Sequence, residues 1–114
     1  MQITNCRNVA VSANTIGDQV LIAAPGGAGS NINGTGFGDI TVWAITLEGA
    51  GANVLQFKSG SALLGGPLTF TSAGSTADLP ATGVPYYKCA AGAALSLNLT
   101  TTAAITGSIY YTLG

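Results

Sequence analysis

The chain has 114 residues, three of them cationic and four anionic, no histidine and a formal charge of −1. Charged residues make up 6%, where an ordinary domain carries about 25%. Without a basic run the chain has no electrostatic grip on nucleic acid or an anionic membrane. Without histidine it lacks the commonest acid–base catalyst and the commonest metal ligand.

The length is that of one domain, read as a single β-sandwich over residues 1–114. Hydrophobic residues reach 47%, enough to fill a core despite the glycine content. A folded chain of this mass exposes about 5,700 Å², so the surface holds one charge per roughly 800 Å², about the area each partner buries in an ordinary interface. Soluble small domains usually keep far more charge than that. The expectation is a surface covered by other protein molecules in the working state. No apolar run reaches the length of a membrane span, and Met1–Asn8 has none of the layout of a secretory leader. Cys6 and Cys89 are read as free thiols, because one possible bridge is no disulfide framework.

The periodicity is two throughout. Ile3, Val9 and Val11 share a face of a first strand near 2–11, within an N-terminal strand or arm over 1–17. Val20 and Ile22 mark a second near 18–23, and a glycine-rich loop follows over 24–38. From 39 to 48 the pattern is apolar on both sides: Ile40, Val42 and Ala44 on one, Trp43, Ile45 and Leu47 on the other. Such a strand is either covered on its outer side by a loop or faces another protomer. Leu55 and Phe57 alternate with Val54, Gln56 and Lys58 in a strand near 53–59. Short strands near 61–65 and 67–72 follow, the latter with Leu68 and Phe70 opposite Thr69 and Thr71. Ser72–Pro85 reads as a connection, and the alanine-rich piece from Cys89 as a loop entering a strand near 93–100, where Leu95, Leu97 and Leu99 alternate with polar residues. Ile105, Ile109, Tyr111 and Leu113 share one parity of a last strand near 104–113. Eight or so short strands, with abundant threonine and few helix-forming residues, predict an all-β, antiparallel two-sheet sandwich of jelly-roll-like type.

The motifs point away from chemistry. A phosphate cradle needs its glycines to enter a helix, whereas Pro25–Gly38 leads into a strand and has no following lysine. The loop is longer than ordinary connections, which favours a partner-binding role. No histidine activates the serines, few cations stand ready to activate a cysteine, and Asp18, Asp39, Glu48 and Asp78 are scattered at turns and strand ends. No enzymatic activity, cofactor or metal is expected. The sequons at Asn33 and Asn98 read as chance matches. Tyr86-Tyr87-Lys88 has three readings: one ring in the core and one over a sheet edge, an interface anchor, or a sugar-stacking platform.

The run Ile40-Thr41-Val42-Trp43-Ala44-Ile45-Thr46-Leu47, the segment from Val54 through Phe57-Lys58-Ser59-Gly60-Ser61 to Leu64-Gly65-Gly66-Pro67-Leu68, the segment Ala90-Ala91-Gly92-Ala93-Ala94-Leu95-Ser96-Leu97-Asn98-Leu99 and the closing Gly107–Tyr111 strand together resemble the small β-sandwich structural proteins of tailed bacteriophages, of the head decoration (cement) type. The resemblance spans about residues 38–112 and is most specific from Phe57 to Leu68 and from Ala90 to Leu99. It implies a jelly-roll-like sandwich, an oligomer on the outside of an icosahedral shell, and no active site.

The expected function is accordingly a phage capsid decoration protein. It would be made in the bacterial host cytoplasm and carried on the virion exterior. Its expected partners are its own copies, as a trimer rather than a dimer, and the major capsid protein, with neither nucleic acid nor membrane. Candidate contact residues are Gln2, Ile3, Thr4, Asn5, Arg7, Phe37, Trp43, Tyr86 and Tyr87. The alternative is a receptor- or carbohydrate-binding domain of a tail fibre or spike, using exposed aromatics among Tyr86, Tyr87 and Tyr110.

Overall fold

A computed structural model describes residues 6–24 and 39–113. They form ten strands: β1 (Arg7–Ala13), β2 (Gly17–Ile22), β3 (Ile40–Gly49), β4 (Asn53–Ser59), β5 (Ala62–Leu63), β6 (Leu68–Phe70), β7 (Thr76–Leu79), β8 (Tyr87–Lys88), β9 (Leu95–Leu99) and β10 (Ile105–Leu113). The first sheet runs β1-β10-β3, and β7 and β8 share the far side of β3. The second runs β2-β9-β4, and β5 and β6 share the far side of β4. All pairings are antiparallel.

The order has a simple origin. The chain doubles back at the β4–β5 turn, so that strands pair from the inside outward: β4 with β5 and β6, β3 with β7 and β8, β2 with β9, β1 with β10. Wound over two sheets, this doubled ribbon is a jelly roll, as the sequence predicts. Its core is the alternation made solid. Ile40, Val42, Ile45, Leu47, Ile105 and Ile109 of the first sheet, and Leu55, Phe57, Leu95, Leu97 and Leu99 of the second, are all almost fully buried. Each such side chain contributes about 1.5–3 kcal/mol of transfer free energy.

Two bulges correct the sequence reading of faces. In β3, Val42 pairs with Tyr111 and Ala44 with Tyr110, so Trp43 is an extra residue in the ladder. Parity therefore switches at Trp43: Ile40 and Val42 point inward before it, Ile45 and Leu47 after it. The strand that reads as apolar on both sides is one inward stripe with a step in it, and Trp43 does not share a face with Ile45 and Leu47. In β2, Val20 pairs with Ser96 and Ile22 with Leu95. The extra Leu21 sends Val20 outward, 65% exposed, while Ile22 is buried. Val20 and Ile22, which mark the expected second strand, therefore lie on opposite faces of it.

The expected connection over 72–85 holds β7, and β8 follows just beyond it. Pro80 and Pro85 between them keep both short. Among the described residues the first strand spans Arg7–Ala13, passing the expected end near residue 11, and residues 2–5 of the expected strand lie outside them. Among the described residues both cysteines are free, Cys6 exposed and Cys89 buried.

Candidate interaction surface

The register of the first sheet gathers four of the candidate residues at one end. Arg7 lies opposite Tyr111, Tyr111 opposite Val42, and Val42 opposite Tyr87, in a single row across β1, β10, β3 and β8. Trp43 follows Val42, and the Tyr86 N–H donates to the Val42 carbonyl at 2.9 Å. Gln2, Ile3, Thr4, Asn5 and Phe37 lie outside the described residues.

The side chains at this end are already engaged. The Trp43 Nε1–H donates to Thr112 Oγ1 at 2.8 Å, on the outer face where the bulge has turned it. The Tyr87 ring packs against Phe57, centroids 5.0 Å apart, and burial raises its hydroxyl pKa. Gly65, with φ +60°, lets that ring approach: a Cβ there would stand 3.0 Å from Tyr87 Cε1. Tyr86 donates its hydroxyl to the Pro80 carbonyl at 2.5 Å, tying down the connection between β7 and β8. The tandem tyrosines thus divide, one ring against the core and one holding a loop. Lys88 and Asp39 stand 3.7 Å apart beside them. Burial raises the Cys89 thiol pKa, the Asp39 charge adds to the rise, and a hydrogen bond with Ser59 opposes it.

The rest of the first sheet's outer face is rich in hydroxyls. Its cross-strand rows are Ser12–Thr106–Glu48–Thr76, Ala10–Ser108–Thr46–Asp78 and Asn8–Tyr110–Ala44. Tyr110 is the exposed aromatic there, 42% accessible. The second sheet's outer face is organised differently. Asp18 accepts from Lys58 Nζ at 2.8 Å and from Asn98 Nδ2 at 2.7 Å, bridging β2, β9 and β4. The hydrogen bond from Lys58, then that from Asn98, hold the Asp18 carboxyl below its ordinary pKa. Exposed aliphatic side chains stud the periphery: Ile16, Val20, Leu63 and Val84.

Such a surface can offer hydrogen bonds and apolar contact. Among the described residues no three side chains of the His, Cys, Asp and Glu types gather as a metal site would require, and no helix is long and apolar enough to cross a membrane. Sequence reading missed Thr112, the partner of Trp43, because a hydroxyl 69 residues away carries no local signal. No protein-family model matches the chain, and neither the curated proteins nor the solved structures yield a match.

Proposed function

We propose that the chain is a capsid decoration (cement) protein of a tailed bacteriophage, which binds the outer surface of the major capsid protein lattice as an oligomer and stabilises the head. The observation that carries this reading is how few charges stand outside an ion pair among the described residues. There Lys58 pairs with Asp18 and Lys88 with Asp39, which leaves Arg7, Glu48 and Asp78 for a surface of 5720 Å². A molecule so poor in ions is suited to lie against sister copies and a larger scaffold, the hydroxyl-bearing outer face of its first sheet making many modest contacts. Arrayed on a lattice, weak contacts add through effective concentration, and the shell must break them together before it can open.

The second reading, a receptor- or carbohydrate-binding domain of a tail fibre or spike, is favoured by the exposed Tyr110 with Asn8 opposite it and Trp43 nearby. Quantifying the chain in purified particles separates the two. Copies in proportion to the capsid protein, with loss of heat and chelator resistance in a deletion phage, are expected. A few copies per particle, or undiminished resistance, would overturn the decoration reading.

A further inference from the structure

The jelly roll leaves four sheet edges, and three of them are blunted. The β5/β6 edge is broken into strands of two and three residues by Gly65-Gly66-Pro67. The β7/β8 edge is interrupted by Pro80 and Pro85 and carries Asp78. The β2 edge is kinked by its Leu21 bulge. Short strands, prolines, charges and bulges are the devices by which sheets avoid pairing with other chains.

β1 has no proline, no bulge and no charge within the strand beyond its first residue. It is seven residues long, without proline, and pairs with β10 in unbroken register from Arg7 to Ala13. Its only charge is Arg7, at one end, and among the described residues no strand pairs with its free side. Ile16, in the turn after β1, and Val20, on the neighbouring β2, place two exposed aliphatic side chains near the same edge of the sandwich.

The strand is also complementary to itself. In antiparallel pairing about Ala10, Val9 meets Val11 of the second copy, Asn8 meets Ser12, Arg7 meets Ala13, and Ala10 meets Ala10. Parity is kept, so apolar residues stay on the core side and small polar ones on the outer side. The two Arg7 side chains fall at opposite ends of the ribbon. We propose that the free edge of β1 pairs antiparallel with β1 of a second copy across a twofold axis at Ala10, joining two first sheets into one continuous sheet. An isologous contact of this kind closes on itself and gives a dimer. The proposal stands independently of the capsid reading.

Sedimentation velocity of the full chain over a range of concentrations tests it, alongside Ala10→Lys and, on another edge, Val84→Lys. Ala10 is exposed on the outer face, so lysine there is compatible with the fold, yet it sets two like charges against each other at the axis. The expected result is a dimer, weakened at least about tenfold by Ala10→Lys and unchanged by Val84→Lys. Independently, Ala10→Cys in a Cys6→Ser background forms a covalent dimer under mild oxidation, since the paired Cα atoms lie about 4.5–5.5 Å apart. In the same register the two Cys6 residues stand about 27 Å apart, so the natural chain gives no Cys6–Cys6 disulfide from the dimer. A monomer at every concentration, a threefold mass, a dimer indifferent to Ala10→Lys, or failure of the Ala10→Cys cross-link would each overturn the proposal.

Discussion

The two sheets share a core but are held together by different means. The first relies on length. β3 and β10 run ten and nine residues side by side, so backbone hydrogen bonds and a stripe of Ile, Val and Leu fix it. The second has shorter strands and is stapled by side chains. Asn53, 3% exposed, accepts from the N–H groups of Thr100 and Thr101 and donates to the carbonyls of Thr101 and Ala103, so that one amide shapes the turn between β9 and β10. Gln56 reaches the carbonyls of Leu64 and Gly65, and Asp18 joins three strands. Long strands leave the outer face largely free of structural duty, the Trp43–Thr112 bond aside, whereas short ones commit polar side chains to holding the sheet. The first sheet is therefore the one whose outer face and edge can be given over to partners.

Three perturbations break or sharpen that contrast. The largest effect is expected in the backbone of the long sheet. Gly107 has φ +148°, and a Cβ built there would collide with the Thr46 carbonyl and the Leu47 Cα of β3. Gly107→Ala should cost about 4 kcal/mol or more and leave little folded protein by circular dichroism, while Ser108→Ala next to it stays within about 0.5 kcal/mol. The second strikes the staple. Asn53→Ala removes a satisfied buried amide and orphans its backbone partners, so denaturant unfolding should show a loss of about 2–4 kcal/mol. The smallest is electrostatic. Because Asp18 has a depressed pKa in the folded chain, its contribution is present above the ordinary carboxyl value of 3.8 and disappears as pH falls through the lower folded value. The stability difference between the natural chain and Asp18→Asn should vanish in that acid window, and added salt should shrink it at neutral pH.

Strict alternation made most of the architecture legible. Leu95, Leu97 and Leu99, Leu55 and Phe57, and Ile105 and Ile109 all take the faces that period two assigns, because the extra residue of each bulge lies on a partner strand and not on theirs. The failures fall where one strand gains a residue relative to its neighbour. Trp43 and Leu21 step out of register to suit β10 and β9, and that demand comes from across the sheet. β7 is not legible in the sequence because Thr76-Ala77-Asp78-Leu79 carries no run of β-branched or aromatic residues; it is a strand by virtue of the open side of β3. The polar staples were equally hidden, since Asn53 serves a turn nearly fifty residues away. At the candidate surface, residue types pointed to aromatics and Arg7, but only the register brings Arg7, Trp43, Tyr86 and Tyr87 to one end.

The doubled-back winding also favours one order of assembly over another. Zippering outward from the β4–β5 turn keeps every loop closure short. Beginning instead with β1 on β10, which joins Arg7 to Tyr111, would close about a hundred residues at once, at an extra entropic cost of about 2–3 kcal/mol. On loop entropy alone, β1 is the strand expected to dock last. Until it arrives, the nine-residue flank of β10 stands open to any chain that can supply the same segment, so crowded synthesis favours strand exchange between neighbours, and refolding from dilute solution favours each chain closing on itself.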